Sequence, residues 1–281
     1  MSEIADNNDD DQTEGVQVRS LLDAVYKRYG LDFRNYARPS IKRRIETVMR
    51  AENLASIPQL ERRLLVDPAC MERFVGGATV NVTSMFRDPD FYRALRFEVI
   101  PHLRERPFLK IWHAGCSTGE EVISLAIVLR EEGLVERCRI YATDINTEVL
   151  DKAKQGVFSV STVKEYSRNY IAAGGQQAFS DYYRAKYDYV LFDRTLISNI
   201  VFSHHNLASD GAFSQFDVIL CRNVVIYFNQ QLADRVHQLL YDSLLPAGYL
   251  CLGSSEIIRF TPYESCYHAF HPEHRIYQKR I

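Results

Sequence analysis

Apolar residues recur at Val18, Leu21, Leu22, Val25, Tyr26 and Tyr29, a spacing of three and four that lines one face of a helix, and Gly30 ends it. Pro39 opens a second helix whose stripe is Ile41, Ile45, Val48 and Met49. On a helical wheel Arg43 and Arg50 lie opposite that stripe, with Lys42 and Arg44 flanking it. A third helix follows Ser56, and Asp67-Pro68 starts a fourth that contains Met71, Phe74, Val75 and Ala78. The pattern therefore predicts a small all-helical unit over about 15–80. After Val80 the rhythm changes. Asp88-Pro89 starts a helix running to about Arg104, and short apolar strands then alternate with helices: strands at 109–114, 139–143, 216–221 and 249–253, helices at 120–130, 147–154 and 231–244. That alternation indicates an α/β fold with a mostly parallel sheet and helices on both faces. A late strand at 275–279 has no helix after it and is expected to add antiparallel. Between Glu165 and Val201 the alternation breaks, and 187–192 with 197–202 read as a small antiparallel β insertion at about 165–202.

Composition and charge narrow the class. With 46% hydrophobic and 25% charged residues in 281, the chain has the make-up of a folded water-soluble protein. Its longest apolar runs fall far short of the ~20 residues that span a bilayer, so no direct membrane insertion is expected. The six cysteines form no CxxC pair, which with no export signal reads as reduced thiols in a cytoplasmic protein. The net charge of −2 is unevenly spread. Residues 1–14 carry six acids and no base and read as a disordered acidic tail, whereas residues 16–50 hold nine Lys/Arg against three Asp/Glu. A nucleic-acid partner is not expected: the net charge is negative and the basic segment lacks interleaved aromatics. No metal is expected either. Although His268, His271 and His274 are evenly spaced, Pro272 interrupts them and no acid or cysteine completes a ligand set.

In an open α/β sheet, ligands sit beyond the carboxyl ends of the strands, and three such ends carry candidate chemistry. At Trp112-His113-Ala114-Gly115-Cys116-Ser117-Thr118-Gly119-Glu120-Glu121, glycines let the backbone turn sharply before a helix N-terminus suited to a carboxylate. The turn has neither GxGxxG nor GxxxxGK[ST] spacing, which argues against a phosphate cradle. At Ala142-Thr143-Asp144-Ile145-Asn146, the acid at the strand tip can accept both ribose hydroxyls of a nucleoside, while Asn146 is the better cap for the next helix. Turn and acid together indicate a nucleoside ligand. At Cys221-Arg222-Asn223-Val224-Val225-Ile226-Tyr227-Phe228, polar residues follow a buried strand. Ahead of the α/β region, Asn81-Val82-Thr83-Ser84-Met85-Phe86-Arg87 spaces polar groups that could line a cleft.

Taken together the motifs NVTSMFRDP, WHAGCSTGEE, IYATDIN, HHNLA, FDVILCRNVVIYF and LLPAGYLCLGSSE resemble those of the CheR-type chemoreceptor glutamate methyltransferases, over about 16–281. The resemblance implies a class I S-adenosylmethionine methyltransferase domain over 81–281, with a seven-stranded Rossmann-like sheet, an inserted β subdomain and an N-terminal helical domain. It implies S-adenosyl-L-methionine as cofactor and S-adenosyl-L-homocysteine as product. Carried over by position, Asn81, Thr83, Arg87, Gly115, Glu121, Asp144, Asn206, Leu207, Arg222 and Asn223 are cofactor-contacting candidates. Asp144 is implied on the ribose and Asn206-Leu207 on the adenine side. Arg87 and Tyr227 are the catalytic candidates, Tyr227 near the transferable methyl. The family usually reads GEEPYS where this chain has Glu120-Glu121-Val122-Ile123-Ser124. The insertion also lacks the spaced glycines of members that tether to a receptor's C-terminal pentapeptide, so tethering is not expected.

The implied reaction suits these residues. A glutamate side chain, with an ordinary pKa of about 4.3, is already an ionised nucleophile at neutral pH, so no general base is needed. The implied substrate is the cytoplasmic methylation region of a transmembrane chemoreceptor, and Arg43, Arg44 and Arg50 are the candidates for steering its acidic surface. The alternatives are a non-catalytic module that senses S-adenosylmethionine and a methyltransferase acting on another nucleophile.

Overall fold

The computed structural model describes the backbone of residues 3–76 and 83–281, with side chains from residue 12 onward. Chain contacts divide it into two units, residues 1–80 with 227–232, and residues 81–226 with 233–281.

In the first unit α1 (Glu3–Tyr29), α2 (Arg38–Ala51), α3 (Ile57–Val66) and α4 (Pro68–Gly76) bury Leu21, Val25, Ile41, Ile45, Val48, Leu60, Leu64, Met71 and Phe74. The stripes are those the spacing predicts, because residues three and four apart share a helix face. Tyr29 stitches α1 to α3 by donating its hydroxyl to the Leu64 carbonyl at 2.7 Å. Residues 227–232 join this unit: Ala37 N donates to the Tyr227 carbonyl at 2.8 Å, and Phe228 pairs with Tyr36. Two expectations are corrected here. Residues 3–14, expected to belong to a disordered acidic tail, are helical, since α1 runs unbroken from Glu3. Within α1, Glu14 pairs with Lys42 of α2 at 3.0 Å. Arg44 is not on the exposed basic face. It sits in the buried stripe of α2, 5% exposed, with its guanidinium 4.5 Å from the centre of the Phe33 ring and 5.5 Å from that of Phe74. Aromatic faces attract a guanidinium, and burial pushes its pKa down to about 10. Arg43 and Arg50 are exposed as expected from the wheel.

The second unit begins with α5 (Pro89–Ala94), a π-helical turn at Leu95–Val99, and α6 (Ile100–Leu103). It continues as β1 (Leu109–Ala114), α7 (Glu120–Glu131), β2 (Cys138–Asp144), α8 (Thr147–Gln155), β3 (Val157–Ser159), α9 (Val163–Ala172), β4 (Tyr183–Lys186), β5 (Tyr189–Phe192), α10 (Arg194–Ile197), β6 (Ile200–His204), β7 (Phe216–Cys221), α11 (Gln230–Asp242), β8 (Leu244–Leu252), β9 (Tyr267–His271) and β10 (Ile276–Lys279). The main sheet has seven strands in the order β6-β2-β1-β7-β8-β10-β9. The first five are parallel, β10 runs antiparallel to β8, and β9 adds antiparallel at the edge. Central β7 is buried at every position, which is why it reads as a continuous apolar run rather than an alternation.

A second sheet of three antiparallel strands, β3-β5-β4, is the insertion. Its boundaries differ from the expected 165–202. The sheet starts at Val157, and the strand expected at 197–202 is β6, which pairs in parallel with β2 in the main sheet. Both are short strands that follow helices, and local pattern does not tell which sheet takes them. The insertion is anchored on the last turn of α7. Buried Glu131 accepts from Arg96 at 2.6 Å, from the Tyr182 hydroxyl at 2.7 Å and from the Tyr170 hydroxyl. No helix among the described residues is long and apolar enough to cross a membrane.

His237 on α11 is buried, and burial pushes its pKa down to about 4. The unfolded chain takes up a proton near 6.5 that the folded one refuses, so this residue's contribution to stability is complete above that pH and is lost as pH falls toward 4. Burial holds the Glu120 and Asp144 carboxyls above their usual range, a contribution of opposite sign common to wild type and variant. Urea unfolding at pH 7 and pH 4 is therefore expected to show wild type losing about 3 kcal/mol more than His237→Leu. Parallel losses in the two proteins would contradict the assignment.

Candidate active site

The turn after β1 is built from conformations that ordinary side chains resist. Gly115 and Gly119 have φ of 78° and 92°, and Ser117 between them has φ of 49°. A Cβ on Gly115 would lie 2.5 Å from Val224 Cγ2, and one on Gly119 would lie 2.8 Å from Ala153 Cβ. Both glycines are thus needed for space as well as for dihedral freedom. The turn is bound to the end of β2: Gly115 N and Cys116 N donate to the Thr143 carbonyl at 2.8 and 2.9 Å. The Asp144 carboxylate completes the clamp, accepting from Ser117 N at 2.9 Å and Asn146 N at 3.0 Å. Asp144 is 6% exposed, and burial raises its pKa even though backbone N–H groups favour the ionised form. It does not cap α8. Asn146 does, accepting from Glu148 N at 2.9 Å. His205 N donates to the Asp144 carbonyl at 3.1 Å, which brings buried Asn206 and Leu207 beside the end of β2. The Asn206 side chain turns back on its own loop and accepts from Ala208 N at 2.9 Å.

The end of β7 faces the first turn of α7. Buried Arg222 donates to Glu121 Oε1 and, at 2.7 Å, to Asp88 Oδ2, with its guanidinium 4.0 Å from the centre of the Phe91 ring. Burial opposes its charge, but the carboxylates of Glu121 and Asp88 support it and its pKa is raised. Arg222 is therefore an internal strut. The following residue, Asn223, takes φ of 59°, and the loop it begins is held by a side chain that pattern reading did not single out. Glu256, 4% exposed, accepts backbone N–H groups from Asn223 at 2.8 Å, Val224 at 2.8 Å, Val225 at 2.7 Å, Ile226 at 3.3 Å and Gly253 at 2.7 Å. One carboxylate thus satisfies five donors and fixes the loop after β7 to the end of β8. A Cβ on Gly253 would come within 2.8 Å of both Asn223 N and Glu256 Oε2. The only sequence signal was an acid soon after a predicted strand end, within the SSE of LLPAGYLCLGSSE.

The segment before α5 is likewise pinned. Phe86, at φ of 53° and fully buried, donates its N–H to Ser124 Oγ at 2.9 Å, and Asn169 Nδ2 donates to the Met85 carbonyl at 3.1 Å. Thr83 and Arg87 flank these anchors and are partly exposed, while Asn81 lies outside the described residues. Gly115 and Asp144 lie at the adjoining ends of β1 and β2 with Asn206 and Leu207 just after β6, and Glu121, Arg222 and Asn223 lie at the first turn of α7 and the end of β7. Arg87 is one residue from Asp88, which joins that set through Arg222. Tyr227, Arg43, Arg44 and Arg50 belong to the other unit.

The donor set fits a cationic nucleoside. Asp144, Glu120 and Glu121 are acidic, the guanidinium of Arg222 is occupied by two carboxylates, and the Asn146 Nδ2 is buried without a partner among the described residues. No group of three or more His, Cys, Asp or Glu among the described residues is arranged to hold a metal ion.

This topology, with its strand-end turn and acid, is that of a class I S-adenosylmethionine methyltransferase. Residues 81–269 match the CheR methyltransferase SAM-binding domain, and residues 17–77 match the CheR methyltransferase all-alpha domain. The chain belongs to the CheR methyltransferase family. Among its relatives, the putative methyltransferase Cher3 of Pseudomonas putida is 46% identical over 264 residues, covering 94% of this chain and 97% of that protein. The chemotaxis protein methyltransferase of Listeria monocytogenes is 30% identical over 241 residues, covering 83% and 87%. That of Salmonella typhimurium is 29% identical over 248 residues, covering 86% and 83%.

Proposed function

We propose that this methyltransferase transfers the methyl group of S-adenosyl-L-methionine to glutamate side chains of a chemoreceptor, forming methyl esters and releasing S-adenosyl-L-homocysteine. The observation that carries the reading is the Asp144 carboxylate clamped between the ends of β1 and β2, together with membership of a family in which relatives are named chemotaxis protein methyltransferases. Bound cofactor supplies an electrophilic methyl carbon. In this reading Asp144 accepts the ribose hydroxyls, Glu121 faces the amino-acid end, and Asn206 and Leu207 border the adenine. Gly115, Thr83, Asn81, Arg222 and Asn223 complete or support the cofactor contacts.

Arg87 orients the incoming carboxylate. The glutamate is ionised at neutral pH, so catalysis consists of holding its oxygen in line with the methyl carbon at roughly 3–3.5 Å and excluding water. Tyr227 is carried as the second catalytic candidate on the family resemblance alone. Exposed Arg43 and Arg50 supply the positive face that attracts an acidic substrate, and Arg44, buried among aromatic rings, is withdrawn from that role.

The test is a transfer assay with methyl-labelled cofactor and receptor-containing membranes, followed by alkaline treatment. Carboxyl methyl esters release volatile labelled methanol. Label retained through alkali would point to another nucleophile, and cofactor binding without transfer to a sensing module.

A further inference from the structure

Asp88 precedes Pro89 at the start of α5, where an aspartate ordinarily accepts an N–H from the first turn. Here it forms no side-chain cap bond, and its backbone sits in the left-handed region at φ 57°, ψ 68°. Its carboxylate instead accepts from Arg222 Nη2 at 2.7 Å, while Nη1 of the same guanidinium donates to Glu121. The Arg222 side chain is 1% exposed, so one buried cation is shared between two carboxylates and the triad carries a net negative charge. Tyr92 and His113 lie within electrostatic range of the triad, and burial pushes the Tyr92 hydroxyl up and the His113 imidazole down, so both are neutral at pH 7. Arg87, the neighbouring residue, and Asp88 itself, whose side chain is 39% exposed, are both partly open to solvent, which weakens the influence of each on the buried charges.

We propose that Asp88 is a positioning residue that takes a share of Arg222 and so leaves Glu121 with negative potential for a cationic cofactor. The inference rests on the cofactor reading above and adds a residue to it. If Asp88 loses its charge, Arg222 is left to Glu121 alone and the triad becomes neutral. S-adenosylmethionine carries a sulfonium that S-adenosylhomocysteine lacks, so the loss of negative potential falls harder on the sulfonium form. A merely structural strut would weaken both nucleosides alike.

The experiment is calorimetric titration of the full chain and of Asp88→Asn with each nucleoside, alongside thermal melts. Asparagine tolerates the left-handed region and keeps an oxygen for Arg222, so the melting temperature is expected to hold. Asp88→Gly, which adopts that region without strain, is the second variant. For both variants the expected result is that affinity for S-adenosylmethionine drops roughly fivefold more than affinity for S-adenosylhomocysteine, the size of effect one charge exerts at a partly solvated site. An unchanged ratio of the two affinities, whether both fall or neither does, overturns the proposal. If the wild-type chain binds neither nucleoside, the cofactor reading fails and this inference fails with it.

Discussion

Replacing Glu256 with alanine is expected to cost about 4 kcal/mol of stability and to abolish cofactor binding with it. The estimate follows from hydrogen bonds to charged groups being worth about 1.5–3 kcal/mol each, discounted because bonds to one carboxylate do not add independently. Five backbone donors lose their acceptor in the variant, and Gly253 N lies where water enters poorly. The loop after β7 is then free to leave the left-handed turn at Asn223 and to carry Arg222 away from Glu121. Glu256→Gln is expected to recover only part of the loss. Its amide oxygen accepts as before, but its NH2 group faces N–H donors on the other side. Urea unfolding gives the stability change, and titration with S-adenosylhomocysteine gives the binding change. A Glu256→Ala protein that melts and binds like wild type would contradict the role.

Asp144→Asn should separate the two effects, with strong loss of cofactor affinity and little change in stability. The buried carboxylate is already disfavoured by burial, which raises its pKa, so removing its charge relieves a cost that offsets the bond lost where the amide NH2 faces one of the two backbone N–H donors. If it accepts both ribose hydroxyls, each lost charged hydrogen bond is worth about 1.5 kcal/mol or more, and two amount to roughly a hundredfold in affinity. Calorimetric titration and thermal melts on the same preparation separate the two effects. The raised pKa adds a pH signature. Wild-type affinity should decline on acidification at a higher pH than an ordinary aspartate would give, and the Asn variant should lack that decline. Equal affinity in variant and wild type would remove Asp144 from the site.

The strand–helix alternation, the two-unit order and the glycine turn were legible in the chain because each rests on local spacing. A helix stripe at Val18–Tyr29, a buried run at Phe216–Cys221 and a Gly-x-x-x-Gly turn need no knowledge of distant residues. What escaped reading depends on partners far away in sequence. Arg44 flanks the α2 stripe on a wheel and looks like a surface charge, and only the rings of Phe33 and Phe74 make its burial tolerable. Asp88 reads as a helix cap because Pro follows it, yet its carboxylate goes to Arg222, 134 residues on. Glu256 is an unremarkable acid until the backbone of 223–226 is folded around it. The insertion was misbounded for the same reason: β6 is short and half exposed, and its place is decided by pairing with β2, which no local pattern encodes.

The chemistry at the strand ends follows the same division. The residue types that suit a sulfonium nucleoside could be picked out by position, but the clamps that hold them could not. Asp144 on Ser117 N, Arg222 between Glu121 and Asp88, and Glu256 under the 223–226 loop are each made by elements brought together only in the fold. These clamps leave few of the site's polar groups to be ordered when ligand binds, which reduces the entropic cost of binding.

The central claim is that the nucleoside held at these strand ends gives its methyl group to a glutamate carboxylate. Incubating the protein with S-adenosylmethionine and receptor-containing membranes, then sequencing receptor peptides by mass spectrometry, tests it most directly. The account predicts a gain of one methylene unit on glutamate side chains, reversed by mild alkali. The same gain on a nitrogen-bearing side chain, or none from a protein that demonstrably binds the cofactor, would contradict it.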